Sequence, residues 1–202
     1  WAADGKTILF TLDAKGWEYQ KIASIDTSVP NSELKVFDFG EKTTSFLYHI
    51  PQKQSSEVLV AHNGRDPAIF DIYRLDVQTG DTEPYGELLD QQTTYALDYN
   101  GEVLGRAVLK EPGKADWTFS VRNGEDSWRE IAKGDYTDTL LLAGSPPKGG
   151  KTVALTNIGR DKIALVEFNL SDGNMNEIYS SDKVDVSRVF AEHVVETSDA
   201  LH

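Results

Sequence analysis

Gly64-Arg65-Asp66 and, 95 residues later, Gly159-Arg160-Asp161 are the two places where this chain repeats a group of charged residues in the same context. Each triplet opens a β-prone run that ends in a glycine turn: GRDPAIFDIYRLDVQTGD from Gly64 and GRDKIALVEFNLSDGN from Gly159. A guanidinium beside a carboxylate can hold an anionic ligand group or the surface of a neighbouring domain. Arg65, Asp66, Arg160 and Asp161 are therefore the candidate domain-facing or ligand-facing residues. The plain structural reading of the same residues is a turn. There glycine supplies a positive φ, aspartate accepts hydrogen bonds from nearby backbone N–H groups, and arginine points into solvent.

Other chemistries leave little trace. A serine nucleophile elbow needs Gly-x-Ser-x-Gly, which does not occur; AGSPPKGG from Ala143 is interrupted by Pro146 and Pro147 and reads as a loop. His49, His62, His193 and His202 show no metal-ligand spacing. His62 ends an apolar run and reads as a hydrogen-bonded structural histidine. The aspartates of DIYRLDVQTGD lack the alternation of a calcium loop, and no glycine-rich phosphate loop is present. No catalytic residue, metal site or cofactor is assigned. Trp1, Trp17, Trp117 and Trp128 lie in or beside β-prone runs, where large aromatics fill the space between sheets.

Composition narrows the partners. The 202 residues carry a formal net charge of −13 with no Lys/Arg cluster, which disfavours nucleic acid. The longest apolar runs, such as TLLLAG from Thr139, fall short of the ~20 residues that cross a bilayer, so no membrane partner is expected. There is no cysteine, which rules out disulfides and thiolate chemistry but suits cytoplasm and periplasm alike. The chain starts at Trp1 and its single methionine is Met175, which reads as a piece of something longer.

The elements that must position these residues recur. TILFTLD, EVLVAHN, EVLGRAV and TVALTNI start at Thr7, Glu57, Glu102 and Thr152, at intervals of 50, 45 and 50 residues. Each is followed by an alternating run: QKIASID, FDIYRLDV, WTFSVRN and ALVEFNL. SFLYHIP, TTYALDY and TLLLAGS precede the last three pairs; ELKVFDF, DTEPYGEL, SWREIAK and NEIYSSD follow the four. Four strands per ~45 to 50 residues is the period of a propeller blade. The expected fold is all-β, a partial β-propeller of about four blades of four antiparallel strands. Its units span 1–42 (without a first strand), 43–90, 91–136 and 137–182, with a further unit starting at 183–202. Hairpin turns are expected at Asp4-Gly5, Thr79-Gly80, Asn100-Gly101, Asn123-Gly124, Gly149-Gly150 and Asp172-Gly173. Longer connections, DAKGWEY, NGRDPAI, KEPGKAD and NIGRDKI, join the second and third strands of each unit.

Three stretches carry a family resemblance. WAADGKTILF is similar to the Trp-Ser-Pro-Asp-Gly-Lys openings of TolB-like and peptidase propeller blades, with Ala2-Ala3 in place of Ser-Pro. NGRDPAIFDIYRLDVQTGD, and NIGRDKIALVEFNLSDGN followed by VDVSRV, resemble blades of the non-catalytic propeller in prolyl oligopeptidase-family serine peptidases, in the dipeptidyl aminopeptidase and acylaminoacyl peptidase branch. The resemblance implies a parent enzyme in which the propeller precedes an α/β-hydrolase domain and restricts entry to short peptides. That hydrolase domain and a short peptide substrate are the implied partners. The rival reading is a stand-alone TolB-like propeller that binds a protein or ligand. Sheet edges left open in a partial propeller imply self-association.

Overall fold

The computed structural model describes residues 1–13, 19–52, 55–98, 100–111, 116–124, 127–142 and 150–187. These residues form strands and no helix, so none of their elements is a helix long and apolar enough to cross a membrane. The strands make four antiparallel sheets in chain order. Sheet 1 holds β1 (Thr7–Asp13), β2 (Gln20–Asp26) and β3 (Lys35–Phe37). Sheet 2 holds β4 (Ser45–His49), β5 (Glu57–Asp66), β6 (Ile69–Asp76) and β7 (Thr82–Pro84). Sheet 3 holds β8 (Thr93–Leu97), β9 (Val103–Leu109), β10 (Trp117–Arg122) and β11 (Trp128–Gly134). Sheet 4 holds β12 (Leu140–Leu142), β13 (Lys151–Thr156), β14 (Ala164–Asn169) and β15 (Met175–Tyr179). Every pair of sequence neighbours within a sheet is hydrogen-bonded, and the expected all-β repeat is what forms.

The chain divides into two compact units, Trp1–Asp135 with sheets 1 to 3 and Tyr136–His202 with sheet 4. The connections around residues 14–18 and 112–115, with Trp17 among them, lie outside the described residues. So does most of the further unit expected at 183–202.

Turn chemistry explains the meanders. All six expected turn glycines, Gly5, Gly80, Gly101, Gly124, Gly150 and Gly173, have φ between +72° and +90°, where only glycine avoids steric cost. Three sheets close the turn before their last strand alike. Asp26 accepts from the Ser28 N–H, Asp76 from Gln78 and Thr79, and Asn169 from Ser171. The Thr79 N–H foremost holds the Asp76 carboxyl below its usual range. Gly80 N–H bonds to the Asp76 carbonyl as Gly173 N–H bonds to that of Asn169, so the two turns share one hydrogen-bond pattern.

Alternation puts sheet 2 between two neighbours. Val58, Val60, Leu75 and Val77 pack with Ala2, Ile22 and Phe37 of the sheet 1 region. Leu59, Ala61 and Ile72 point to the other side and pack with Tyr95, Leu97, Val103 and Trp128 of sheet 3. A strand pair apolar on both faces is the signature of a sheet stacked between sheets. Side chains then tie sheet to sheet. The Tyr48 hydroxyl donates to the Tyr95 carbonyl and accepts from the Tyr95 N–H. Burial pushes the Tyr48 phenol up to about 12, so it remains a donor. The Gln92 amide bonds both the N–H and the carbonyl of Phe70, as a strand neighbour would. Tyr85 donates to the Gly101 carbonyl, and Lys35 Nζ to the Gln78 carbonyl at 2.7 Å.

The tryptophans divide. Trp128 sits in the seam between sheets 2 and 3, its Nε1 donating to Glu87 at 3.1 Å. Trp117 is half-buried, with Nε1 donating to the Asp135 carbonyl. Trp1 is 64% exposed and does not fill space between sheets as expected.

Candidate functional site

The two Gly-Arg-Asp triplets join the second and third strands of their sheets, yet they differ in structure. Gly64-Arg65-Asp66 is not a turn. β5 runs through it to Asp66, the connection to β6 is only Pro67-Ala68, and Gly64 has no positive φ. A bulge between His62 and Asp66 absorbs the extra residues. Asn63 supports it: its Oδ1 accepts from the Thr44 N–H at 2.8 Å and its Nδ2 donates to the Pro67 carbonyl at 3.2 Å. Gly64 is required here for closeness, because a Cβ would lie 2.8 Å from the Phe39 carbonyl oxygen. Asp66 accepts from the Ala68 N–H at 2.8 Å, as a turn aspartate should.

Arg65 does not point into solvent. Its Nε and Nη2 hold the two oxygens of buried Asp71 at 2.7 and 3.1 Å, a bidentate pair. Nη1 reaches Asp90 at 3.3 Å, and Nη2 also donates to the Leu89 carbonyl. The hydrogen bond to Asp71, more than any other contact, raises the Arg65 pKa. One guanidinium thus neutralises a carboxylate inside sheet 2 and fastens the β7–β8 connection to it.

Behind this pair lies a buried row. The register sets Ser45 opposite His62 and His62 opposite Asp71, so a serine, a histidine and an aspartate stand side by side on three strands. Their hydrogen bonds go elsewhere. The Ser45 hydroxyl donates to the Gln20 carbonyl at 3.3 Å and accepts from the Ile22 N–H at 3.2 Å, and Asp71 is held by Arg65. The His62 ring is stacked between Phe39 and Tyr73, with centroids at 4.3 and 4.1 Å. Its Nδ1 accepts from the Gly64 N–H at 3.2 Å. Burial pulls the His62 pKa down to about 4, outweighing the upward pull of the Asp71 charge. A neutral imidazole whose Nδ1 acts as an acceptor is a packing element, and the row joins sheet 1 to sheet 2 without forming a proton relay.

In the second unit, Gly159 has φ +73° and the triplet is a true turn after β13. Arg160 pairs with Glu177 of β15 at 2.6 Å, and Asp161 is 89% exposed beside Lys162. Glu177 is held below its usual range by the Ser180 hydroxyl first and Arg160 second. The positive-φ turn glycine expected from sequence is found here and not at Gly64, the aspartate bonded to a backbone N–H is found at Asp66, and neither arginine is left to solvent alone.

Among the described residues no three His, Asp or Glu side chains converge as a metal site would require. Two shallow cavities open beside the first unit's seams. One, of about 260 Å³, is lined by Pro51, Glu57, Arg74, Tyr85, Asn100 and Glu102. The other, of about 290 Å³, is lined by Lys6, Ser24, Asp26, Glu33, Lys35 and Gln78. Arg74 is engaged by Glu57 and Glu83.

Successive antiparallel meanders, one of three strands and three of four, define the class: a β-propeller. The chain is similar to dipeptidyl aminopeptidase BIII of Pseudoxanthomonas mexicana, with 24% identity over 194 residues, 95% of this chain and 28% of that protein. It is similar in fold to a prolyl endopeptidase, with a TM-score of 0.62 and 16% identity over 90% of this chain and 28% of that one. TolB from Acinetobacter baumannii shares the fold at a TM-score of 0.52 and 17% identity, covering 86% of this chain and 40% of TolB. No known family's sequence profile matches. The chain thus spans little more than a quarter of the curated relative it matches. It resembles the non-catalytic propeller of prolyl oligopeptidase-family peptidases, as its blade motifs suggest.

The two triplets should respond differently to mutation. Arg65→Met leaves a buried carboxylate unpaired and should lower unfolding stability by about 2 kcal/mol, with Arg65's partial exposure reducing the full cost of breaking such a pair. Arg160→Met should leave the urea midpoint nearly unchanged. Equal losses at both would show that Asp71 does not depend on Arg65.

Acid should loosen the seam between sheets 1 and 2. His62 titrates near 6.5 when unfolded and about 4 when folded, so its contribution is complete above pH 6.5 and is lost as pH falls from 6.5 through 4. Over that window the loss is about 2 kcal/mol. His62→Phe, less stable at pH 8 because Gly64 N–H loses its acceptor, should show a flatter stability profile between pH 6.5 and 4. A profile as steep as that of the parent would place the acid sensitivity elsewhere.

Proposed function

We propose that this chain is the propeller portion of a serine peptidase that acts on short peptides, and that it limits access to a hydrolase domain supplied by the rest of the parent protein. The observation that carries this reading is the 24% identity with a dipeptidyl aminopeptidase along 95% of the chain. The prolyl endopeptidase fold match over 90% of the chain agrees with it. The sheets suit the task. A wall excludes large substrates only if its seams stay closed, and here each seam in the first unit is closed by apolar packing and by hydrogen bonds from side chains of both sheets. Selection is then steric: an extended short peptide passes where a folded protein does not. The connections bearing Arg65-Asp66 and Arg160-Asp161 are the surfaces proposed to meet the hydrolase domain, the first together with exposed Asp90 of the β7–β8 connection that Arg65 holds beside it, the second through exposed Asp161.

The test uses the full-length peptidase, whose coding sequence beyond residue 202 should include Gly-x-Ser-x-Gly. Loosening the seam between sheets 2 and 3 with Tyr48→Phe plus Gln92→Ala should raise kcat/KM for long oligopeptides relative to a short chromogenic peptide. Hydrolysis of the short peptide should hold. A length preference unchanged in a variant whose seam is shown open by faster amide exchange would refute the gating role.

A further inference from the structure

Asn-Gly occurs three times in the chain, at Asn63-Gly64, Asn100-Gly101 and Asn123-Gly124. The dipeptide is reactive. With no side chain on the following residue, the glycine backbone nitrogen can approach the asparagine side-chain carbon. The attack needs a glycine N–H that can give up its proton, an asparagine side chain that can turn toward it, and room for the peptide between them to rotate. The fold treats the three copies differently.

At Asn63-Gly64 both reacting groups are tied. The Asn63 side chain is held at its two ends, Oδ1 by the Thr44 N–H at 2.8 Å and Nδ2 by the Pro67 carbonyl at 3.2 Å. The Gly64 N–H donates to His62 Nδ1 at 3.2 Å, and the Phe39 carbonyl oxygen crowds the glycine. At Asn100-Gly101 the glycine is the restrained partner. Gly101 is buried, its N–H donates to the Asp98 carbonyl at 3.0 Å, and its carbonyl accepts from the Tyr85 hydroxyl. A Cβ on Gly101 would touch His49, Pro51 and Leu59, so the peptide has little room to turn.

Asn123-Gly124 lacks these restraints. It follows β10 in the turn to β11, and both residues are exposed. Only the main chain of Asn123 is engaged: its N–H donates to the Ser127 carbonyl at 2.9 Å and its carbonyl accepts from the Ser127 hydroxyl. Among the described residues neither the Asn123 side-chain amide nor the Gly124 N–H has a hydrogen-bond partner. A Cβ on Gly124 would meet nothing within 4 Å. The equivalent asparagine of sheet 4 shows the contrast: Asn169 is followed by Leu170, and its Oδ1 is held by the Ser171 N–H and hydroxyl at 2.9 and 2.7 Å.

We propose that Asn123 is a site of spontaneous deamidation, and that the fold protects Asn63 and Asn100 from the same reaction. The deprotonated Gly124 nitrogen attacks Asn123 Cγ. A new N–C bond closes a succinimide ring, the Cγ–Nδ2 bond breaks, and Nδ2 leaves as ammonia, carrying the proton equivalent that the glycine released. Water then opens the ring at one carbonyl or the other and leaves aspartate or isoaspartate. The only co-reactant is water. The product adds a negative charge beside Arg122, whose guanidinium lies 4.5 Å from the centre of the Trp128 ring. In the isoaspartyl form an extra methylene enters the main chain of the turn that pairs Arg122 with Trp128.

The test holds the protein at mildly alkaline pH, once folded and once in urea, and follows each asparagine by peptide mass spectrometry. Isoaspartate is read separately, by labelled methyl transfer from S-adenosylmethionine with an isoaspartyl methyltransferase. In the folded protein Asn123 should convert while Asn63 and Asn100 convert at least about tenfold more slowly, the effect of a local opening free energy of ~1.4 kcal/mol or more. In urea the three should convert at similar rates, and Asn123→Gln should remove the methyl label from the folded protein. Folded-state conversion of Asn63 or Asn100 as fast as that of Asn123 would overturn the proposal. So would an Asn123 that converts in urea and stays intact in the folded protein.

Discussion

Burial of sheet 2 on both faces is the constraint on which the rest of the first unit depends. Val58, Val60 and Leu75 are removed from water by sheet 1, and Leu59, Ala61 and Ile72 by sheet 3. Fully burying an aliphatic side chain of this size contributes about 1.5 to 3 kcal/mol, whereas an exposed ion pair contributes about 0 to 1. Apolar stacking therefore outweighs the many surface pairs, Lys6–Asp26 and Arg74–Glu83 among them. The polar contacts in the seams act differently: they satisfy groups that stacking would otherwise strand, and they set register between sheets. Tyr48 with Tyr95, and Gln92 with Phe70, each supply both a donor and an acceptor to a neighbouring backbone.

Much of this was legible in the sequence because it is local and recurrent. Alternation in FDIYRLDV assigns Ile72 to one face and Leu75 to the other, and the structure places them against different sheets. The glycine turns were legible for the same reason. What the triplets do was not. The role of Arg65 is set by Asp71 across the strand pair and by Leu89 and Asp90 in another connection, contacts that exist only once the sheet has formed. His62 carried a partial signal at the end of an apolar run, but its aromatic neighbours come from two other strands' surroundings. The aromatic at a fixed register position of the outer strand, Phe37, Tyr85 and Tyr179, with Ala132 in sheet 3, could have been found by aligning the units on their turn residues Asp26, Asp76, Asn123 and Asn169.

The repeated Gly-Arg-Asp is thus repeated architecture, adapted twice. In sheet 2 it extends a strand and neutralises a buried carboxylate; in sheet 4 it turns the chain and leaves its aspartate in water. A scaffold of stacked sheets tolerates such exchange because stability resides in the faces, which leaves the connections free to differ. That division suits a domain proposed to act as a wall.

Native-state amide hydrogen exchange tests the central claim most directly. If stacking on both faces anchors the first unit, the amides of Leu59, Val60, Ala61, Ile72 and Tyr73 should exchange only through global unfolding and be the slowest of Trp1–Asp135, slower than those of β1 and β11. Exchange at these five amides as fast as in sheet 1, whose outer face is partly open, would contradict it.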